Sequence, residues 1–288
     1  MTTATSRRPA GPPTATATRQ WLSEISREVV HRPTTGVAYG PPGVGKTSLF
    51  AHAKNVAVMT DAQEQGIHTL KACGVVPQDV PVLPPCREWS DVLGQLDALA
   101  TGEHSHKMLL LDAMGGFERL CHNEVCQREF RGEWGDRGFG SYQKGFEIAL
   151  ADWRHFLIAL DKLRDERGMS VMLLGHSKVK PYKNPSGPDY DRYMVDVHEK
   201  TWAMTCRWAE LVLFLNFEVS FYKGDETKQK AKASGGQFRI AYTENDAAYE
   251  AKNRHNLPPE IPLGNEGPAK AWEALSTALK QGRKAVAA

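Results

Sequence analysis

The chain is 288 residues long, 41% apolar and 24% charged, and its 36 basic and 34 acidic side chains leave a formal charge of +2. That composition suits a globular protein with a substantial core and excludes fibrous, secreted-scaffold and membrane-spanning classes. No apolar run approaches the ~20 residues of a bilayer span, the five cysteines fit a reducing cytoplasm, and near-neutrality confines any polyanion site to a local patch.

In chain order, residues 1–20 are rich in Thr, Ala and Pro and read as a disordered tail rather than a secretion signal. The spacing of Trp21, Ile25 and Val29 predicts a short helix. A strand over 36–39 leads into a Gly/Pro-rich turn and a helix from Lys46 to about Lys54. A second strand covers 56–60, followed by a helical stretch near 65–73. The proline-flanked segment 81–85 must be an edge or connector, because proline cannot donate to a ladder. Residues 91–99 form a helix with Ser90 as its cap. The unbroken apolar run 107–112 suits a central parallel strand buried on both faces, and a helix follows it. Residues 128–144 read as a long loop. Leu150, Trp153, Phe156, Leu157, Leu160 and Leu163 recur at helical spacing. A buried strand, 170–174, precedes a polar loop over 178–200. Three later strands (211–217, 220–223 and 237–243) and a helix over 269–280 complete the chain, with Pro268 in the helix's first turn. Alternating strands and helices predict an α/β fold, a mostly parallel twisted sheet covered on both faces. The expected division is a tail to residue 20, one domain over 21–265, and a C-terminal helix and tail over 266–288.

Gly40-Pro41-Pro42-Gly43-Val44-Gly45-Lys46-Thr47 matches G-x-x-x-x-G-K-[ST] without a mismatch, between a strand and a helix. Such a loop turns backbone N–H groups inward around phosphate oxygens. Lys46 then reaches the β- and γ-phosphates, and Thr47, with Ser48 beside it, supplies a hydroxyl to Mg²⁺. The cofactors implied are ATP, or another nucleoside triphosphate, and Mg²⁺. Asp112, at the end of its strand, is the expected second metal-side ligand, reached through water. A glycine turn in a solvent loop would not require the Lys-Thr pair; an N-cap role is the alternative for Asp112.

Ala113, not Glu, follows Asp112, which counts against the AAA+ arrangement in which the water-activating Glu comes next. The acids after the second strand, Asp61 and Glu64, are the alternatives. Glu64 is the preferred base and Asp61 the second choice, each also open to a plain helix-start role. His176, at a strand tip, is a candidate γ-phosphate sensor or a structural histidine.

Three segments together resemble the phage-type RecA-like nucleotide-binding proteins, which include ATPases associated with phage single-strand annealing and recombination. They are Tyr39 to Thr47, Leu174-Gly175-His176-Ser177-Lys178, and Tyr249-Glu250-Ala251-Lys252-Asn253-Arg254. The resemblance covers roughly residues 36–263. It implies a RecA-like ATPase acting in a DNA transaction as a homo-oligomer. It also implies that Lys252 and Arg254 reach the neighbouring subunit's γ-phosphate, with Arg254 as the finger. Gln63-Glu64-Gln65-Gly66 departs from the family's usual acidic-glycine pattern.

Two basic segments are candidate single-stranded DNA contacts. One holds Phe221, Tyr222, Lys223, Lys228, Lys230, Lys232 and Arg239; the other holds Lys178, Lys180, Lys183 and Arg192 with Tyr182, Tyr190 and Tyr193. Either could equally be a solvated surface. Cys121, His122 and Cys126 match structural zinc spacing poorly and are expected to pack on the helix after Asp112. Two other readings use the same phosphate loop: a nucleotide-kinase-type phosphotransferase, and a non-hydrolysing nucleotide-gated binding module.

Overall fold

The computed structural model describes residues 23, 25–222 and 232–285. The chain divides into two compact units, residues 1–31 and residues 32–288. In the first, the tail over 1–20 lies outside the described residues. The helix expected over 21–29 is not present from residue 25 onward: residues 25–30 have no regular structure, and Ile25, Val29 and Val30 are exposed.

The second unit is built on β1 (Thr35–Gly40), β2 (Val56–Thr60), β3 (Met108–Asp112), β4 (Ser170–Tyr182), β5 (Tyr190–Val195), β6 (Leu211–Tyr222), β7 (Lys232–Tyr242), β8 (Lys252–Asn253) and β9 (Glu260–Gly264). Its helices are α1 (Lys46–Phe50), α2 (Gly66–Ala72), α3 (Trp89–Thr101), α4 (Met114–Phe130), α5 (Lys144–Arg167), α6 (Glu199–Trp208) and α7 (Pro268–Ala285). The main sheet runs β2-β3-β4-β1-β6-β7-β9. Its first five strands are mutually parallel, and β7 and β9 extend it antiparallel. This is the α/β architecture that the alternating pattern predicts.

The apolar runs work as central strands because each feeds two cores. Val37, Tyr39, Leu109, Leu111, Val171 and Leu173 point into a core formed with α3, α4, α5 and α6. Their neighbours Ala38, Val58, Leu110, Met172, Leu174 and Leu213 point the other way, toward α1, α2 and α7. The period of two along a strand makes a continuous apolar run the right sequence for this position. The α5 stripe buries Trp153, Phe156, Leu157, Leu160 and Leu163, and the helix ends at Gly168, whose φ of 63° is the left-handed cap glycine favours. Residues 81–86 run beside β2 as a connector, Val58 donating to the Pro81 carbonyl and accepting from Leu83.

Several expectations need correction. The helix after the phosphate loop is short, α1 ending at Phe50 rather than near Lys54. The α3 cap is Glu88, not Ser90, and the Asp91 carboxylate accepts from the Arg87 and Glu88 N–H groups in a capping box. The loop over 128–144 is shorter than expected, because α4 continues to Phe130 and α5 begins at Lys144. The polar segment 178–200 is not a loop: β4 continues to Tyr182 and pairs antiparallel with β5, and α6 begins at Glu199. Polar residues conceal this hairpin because its outer face meets solvent. The two strands expected at 211–217 and 220–223 are one strand, β6, slipped in register between Phe217 and Val219.

Candidate functional site: the phosphate-loop edge

All five parallel strands present their carboxyl ends at one edge, where α/β sheets bind ligands. The loop of residues 40–45 leaves β1 there. Gly40 lies so close to β6 that a Cβ would collide with the Leu215 carbonyl, and Gly43 and Gly45 adopt φ of 78° and 91°. The backbone N–H groups of Gly43, Gly45, Lys46, Thr47 and Ser48 meet no acceptor among the described residues. A run of unsatisfied donors around one turn is the chemistry of an anion cradle.

Lys46 is buried, and its Nζ donates to the loop's own Gly40 and Pro41 carbonyls at 2.9 and 3.1 Å. Burial lowers its ammonium from 10.5 to about 8, against the pull of Asp112 and Glu64. The charge is therefore kept inside the loop, where polyphosphate oxygens would stabilise it. The Thr47 hydroxyl donates to Asp112 Oδ2 at 2.6 Å. β4 separates β1, which leads to α1 and Thr47, from β3, which ends at Asp112, and α1 brings the hydroxyl across the gap. Burial holds the Asp112 carboxyl above the usual carboxylate range, opposed by the Thr47 hydrogen bond. A hydroxyl and a carboxylate in contact beside a phosphate cradle are hard oxygen donors of the kind Mg²⁺ takes. The residues fit the metal. The peptide joining Asp112 to Ala113 is cis.

His176 does not follow the strand; it lies inside β4, paired in register with Gly40. Its Nε2 meets Glu64 Oε1 at 3.1 Å, so two residues expected separately at this edge meet across it. Both are part-exposed. Asp61 is different. Its carboxylate is fully buried, paired with Arg119 at 3.0 Å, and accepts the Gln63 N–H. That environment suits a structural anchor rather than a group facing water.

Lys252 and Arg254 are not at this edge. Lys252 and Asn253 pair with Val212 and Leu211, level with Val37 and Gly36 at the amino ends of the parallel strands. That is roughly 10 Å back along β1 from the phosphate loop, at the ~3.3 Å rise of a strand. Lys252 donates to the Cys206 and Arg207 carbonyls at the end of α6, and Asn253 fastens the following turn to Leu257. Arg254 is exposed, and its side chain makes no hydrogen bond or ion pair among the described residues.

The basic segment at 178–200 is largely paired within the fold. Lys178 bonds Asp196, Lys200 bonds Glu147, and buried Arg192 is held by Asn245, Asp246, Tyr249 and Glu250. Tyr193 packs on Phe214. Lys180 and Lys183 stay exposed near the Tyr182–Tyr190 ring pair. In the other basic segment, Lys223, Lys228 and Lys230 lie outside the described residues. Cys121 and Cys126 are buried on α4, and burial pushes both thiols up.

A family model described as an AAA domain matches residues 32–255. The chain belongs to that family. In this AAA domain the position after Asp112 is Ala113, and Glu64, from beyond β2, brings a further carboxylate to His176. No curated protein matches the chain. Among solved structures it is similar to the crystal structure of the RadB recombinase, at 14% identity and a TM-score of 0.45, over 82% of this chain and 90% of that one. No described helix of the AAA domain is long and apolar enough to cross a membrane.

Two residues at the site escaped the sequence reading. Arg119 holds Asp61 from 58 residues away. Arg239, assigned above to a DNA-contacting segment, lies against the phosphate loop: a Cβ on Gly45 would stand 2.8 Å from its Nη1. No local pattern marks either contact, since each joins residues far apart in the sequence.

Proposed function

We propose that this AAA domain is a RecA-like ATPase that hydrolyses ATP with Mg²⁺ as part of a homo-oligomer acting on single-stranded DNA, in phage-type recombination or a related transaction. The observation that carries the hydrolytic reading is the convergence of Lys46, the Thr47–Asp112 contact and the Glu64–His176 pair at one sheet edge. The loop amides and Lys46 would hold the phosphates, and Thr47 and Asp112 would hold the metal. Mg²⁺, when bound, offsets charge on the β- and γ-phosphate oxygens. Glu64 takes a proton from water as its oxygen bonds to the γ-phosphorus. The bond from that phosphorus to the bridging oxygen breaks, and ADP departs with the electron pair. His176, already bonded to Glu64, is placed to exchange that partner for the γ-phosphate and pass the change along β4 into the β4–β5 hairpin.

Arg254 is the trans-acting cation in this proposal. Its exposure and its distance from its own loop support action on a neighbouring copy, while Lys252 fastens the segment to α6. The DNA reading rests on the three-segment resemblance and on exposed Lys180 and Lys183.

Turnover measured against protein concentration, with and without single-stranded DNA at two salt concentrations, tests the proposal. Specific activity should rise on assembly, since an arginine finger is worth about 10³–10⁵ in rate, and DNA stimulation should fade at high salt. Activity flat across the assembly range contradicts the trans assignment. No response to DNA moves the partner to a protein, and no phosphate release at all leaves a nucleotide-gated binding module.

A further inference from the structure

Arg239 stands on β7, where the pairing is irregular on both sides. The β6–β7 ladder slips just beyond the Phe217–Arg239 pair, and on β9 the partner changes from Gly264 to Pro262 between Arg239 and Ile240, bypassing Leu263. Bulges re-aim side chains, and they concentrate next to functional sites. Here the neighbouring Phe238 is left exposed, while the half-buried Arg239 side chain turns to the phosphate loop.

Its guanidinium crowds the space that a side chain on Gly45 would occupy: a Cβ there would stand 2.8 Å from Arg239 Nη1 and 3.3 Å from Ser48 Oγ. Lys46, in contrast, folds back to the Gly40 and Pro41 carbonyls at the other end of the loop. Arg239 has no carboxylate partner among the described residues. Among the described residues its side chain makes one hydrogen bond, a long one from Nε to the Gly264 carbonyl at 3.4 Å, which leaves both terminal nitrogens for another acceptor. A planar, permanently charged fork beside unsatisfied backbone donors matches phosphate oxygens in geometry and charge.

We infer that Arg239 is a nucleotide-binding residue acting within its own subunit, gripping the diphosphate shared by ATP and ADP at the Gly45–Ser48 end of the loop. The inference rests on the nucleotide-binding reading above and assigns Arg239 to the nucleotide rather than to DNA. It makes Arg239 distinct from a finger, whose contribution is confined to the γ-phosphate during hydrolysis.

The test is equilibrium binding of ATP, ADP and inorganic tripolyphosphate to the full chain, its Arg239→Gln variant and its Arg239→Lys variant, with melting of each protein checked without ligand. Arg239→Gln should weaken all three ligands by about 10- to 100-fold, the range of a charge-assisted hydrogen bond. Arg239→Lys, which keeps the charge but not the fork, should recover part of the loss. Unchanged ADP affinity in both variants overturns the inference while leaving the loop's role intact. Loss of ATP and ADP with tripolyphosphate unaffected also overturns it, because the guanidinium would then meet the base. A wild-type chain that binds none of the three overturns the nucleotide reading itself.

Discussion

The burial of Lys46 translates directly into a pH dependence. Only 6% of it is exposed, and burial lowers its ammonium from 10.5 to about 8. Between those values the unfolded chain keeps a proton that the folded chain has released, so stability rises with pH through that window. At 1.36 kcal/mol per tenfold, the wild-type chain should gain about 2 kcal/mol between pH 7 and pH 9.5. Lys46→Met has no such group and gains nothing from this source. Urea unfolding of both proteins at the two pH values, without nucleotide, reads the difference. The wild type should gain about 2 kcal/mol on the variant at the higher pH. A stability difference that stays the same at both pH values would refute the claim that the loop holds a desolvated charge.

Other outcomes follow from the same geometry. Glu64→Gln should lower turnover roughly 10²- to 10⁴-fold, the usual contribution of a general base, while ATP affinity is kept; unchanged turnover would remove Glu64 from that role. Arg119→Ala strands the fully buried Asp61 carboxylate and should cost about 2 kcal/mol in denaturant unfolding. That lies below the figure for a fully buried pair, because Arg119 is 37% exposed. Trp153→Ala removes the largest fully buried side chain among the described residues and its hydrogen bond to Thr205, and should cost about 3–5 kcal/mol by the same measurement.

The parts legible in the sequence are those whose cause is local. The phosphate loop is a contiguous motif flanked by a strand and a helix, and β3 is an unbroken apolar run that suits a strand buried on both faces. Asp112 was legible because it ends such a run. Residues whose role depends on distant partners were not. Asp61 and Glu64 lie three positions apart and read alike, yet Asp61 is sealed under Arg119 while Glu64 reaches His176. The β4–β5 hairpin is hidden because Lys178, Arg192 and Tyr182 look like surface residues until their partners are known. Arg239 read as part of a basic stretch because the register slips that turn it toward Gly45 have no sequence signature of their own. α6 went unread because its buried face consists of Thr201, Trp202 and Thr205, two of them polar.

Calorimetric titration of Mg²⁺·ATP into the full chain and into Lys46→Met measures the central claim with the fewest intermediate steps. One saturable site per chain is expected in the wild type, weakened at least about 100-fold in the variant, since a charge-assisted contact and the charge itself are both lost. A wild-type chain that takes up no nucleotide, or a variant that binds it as tightly, would contradict the account.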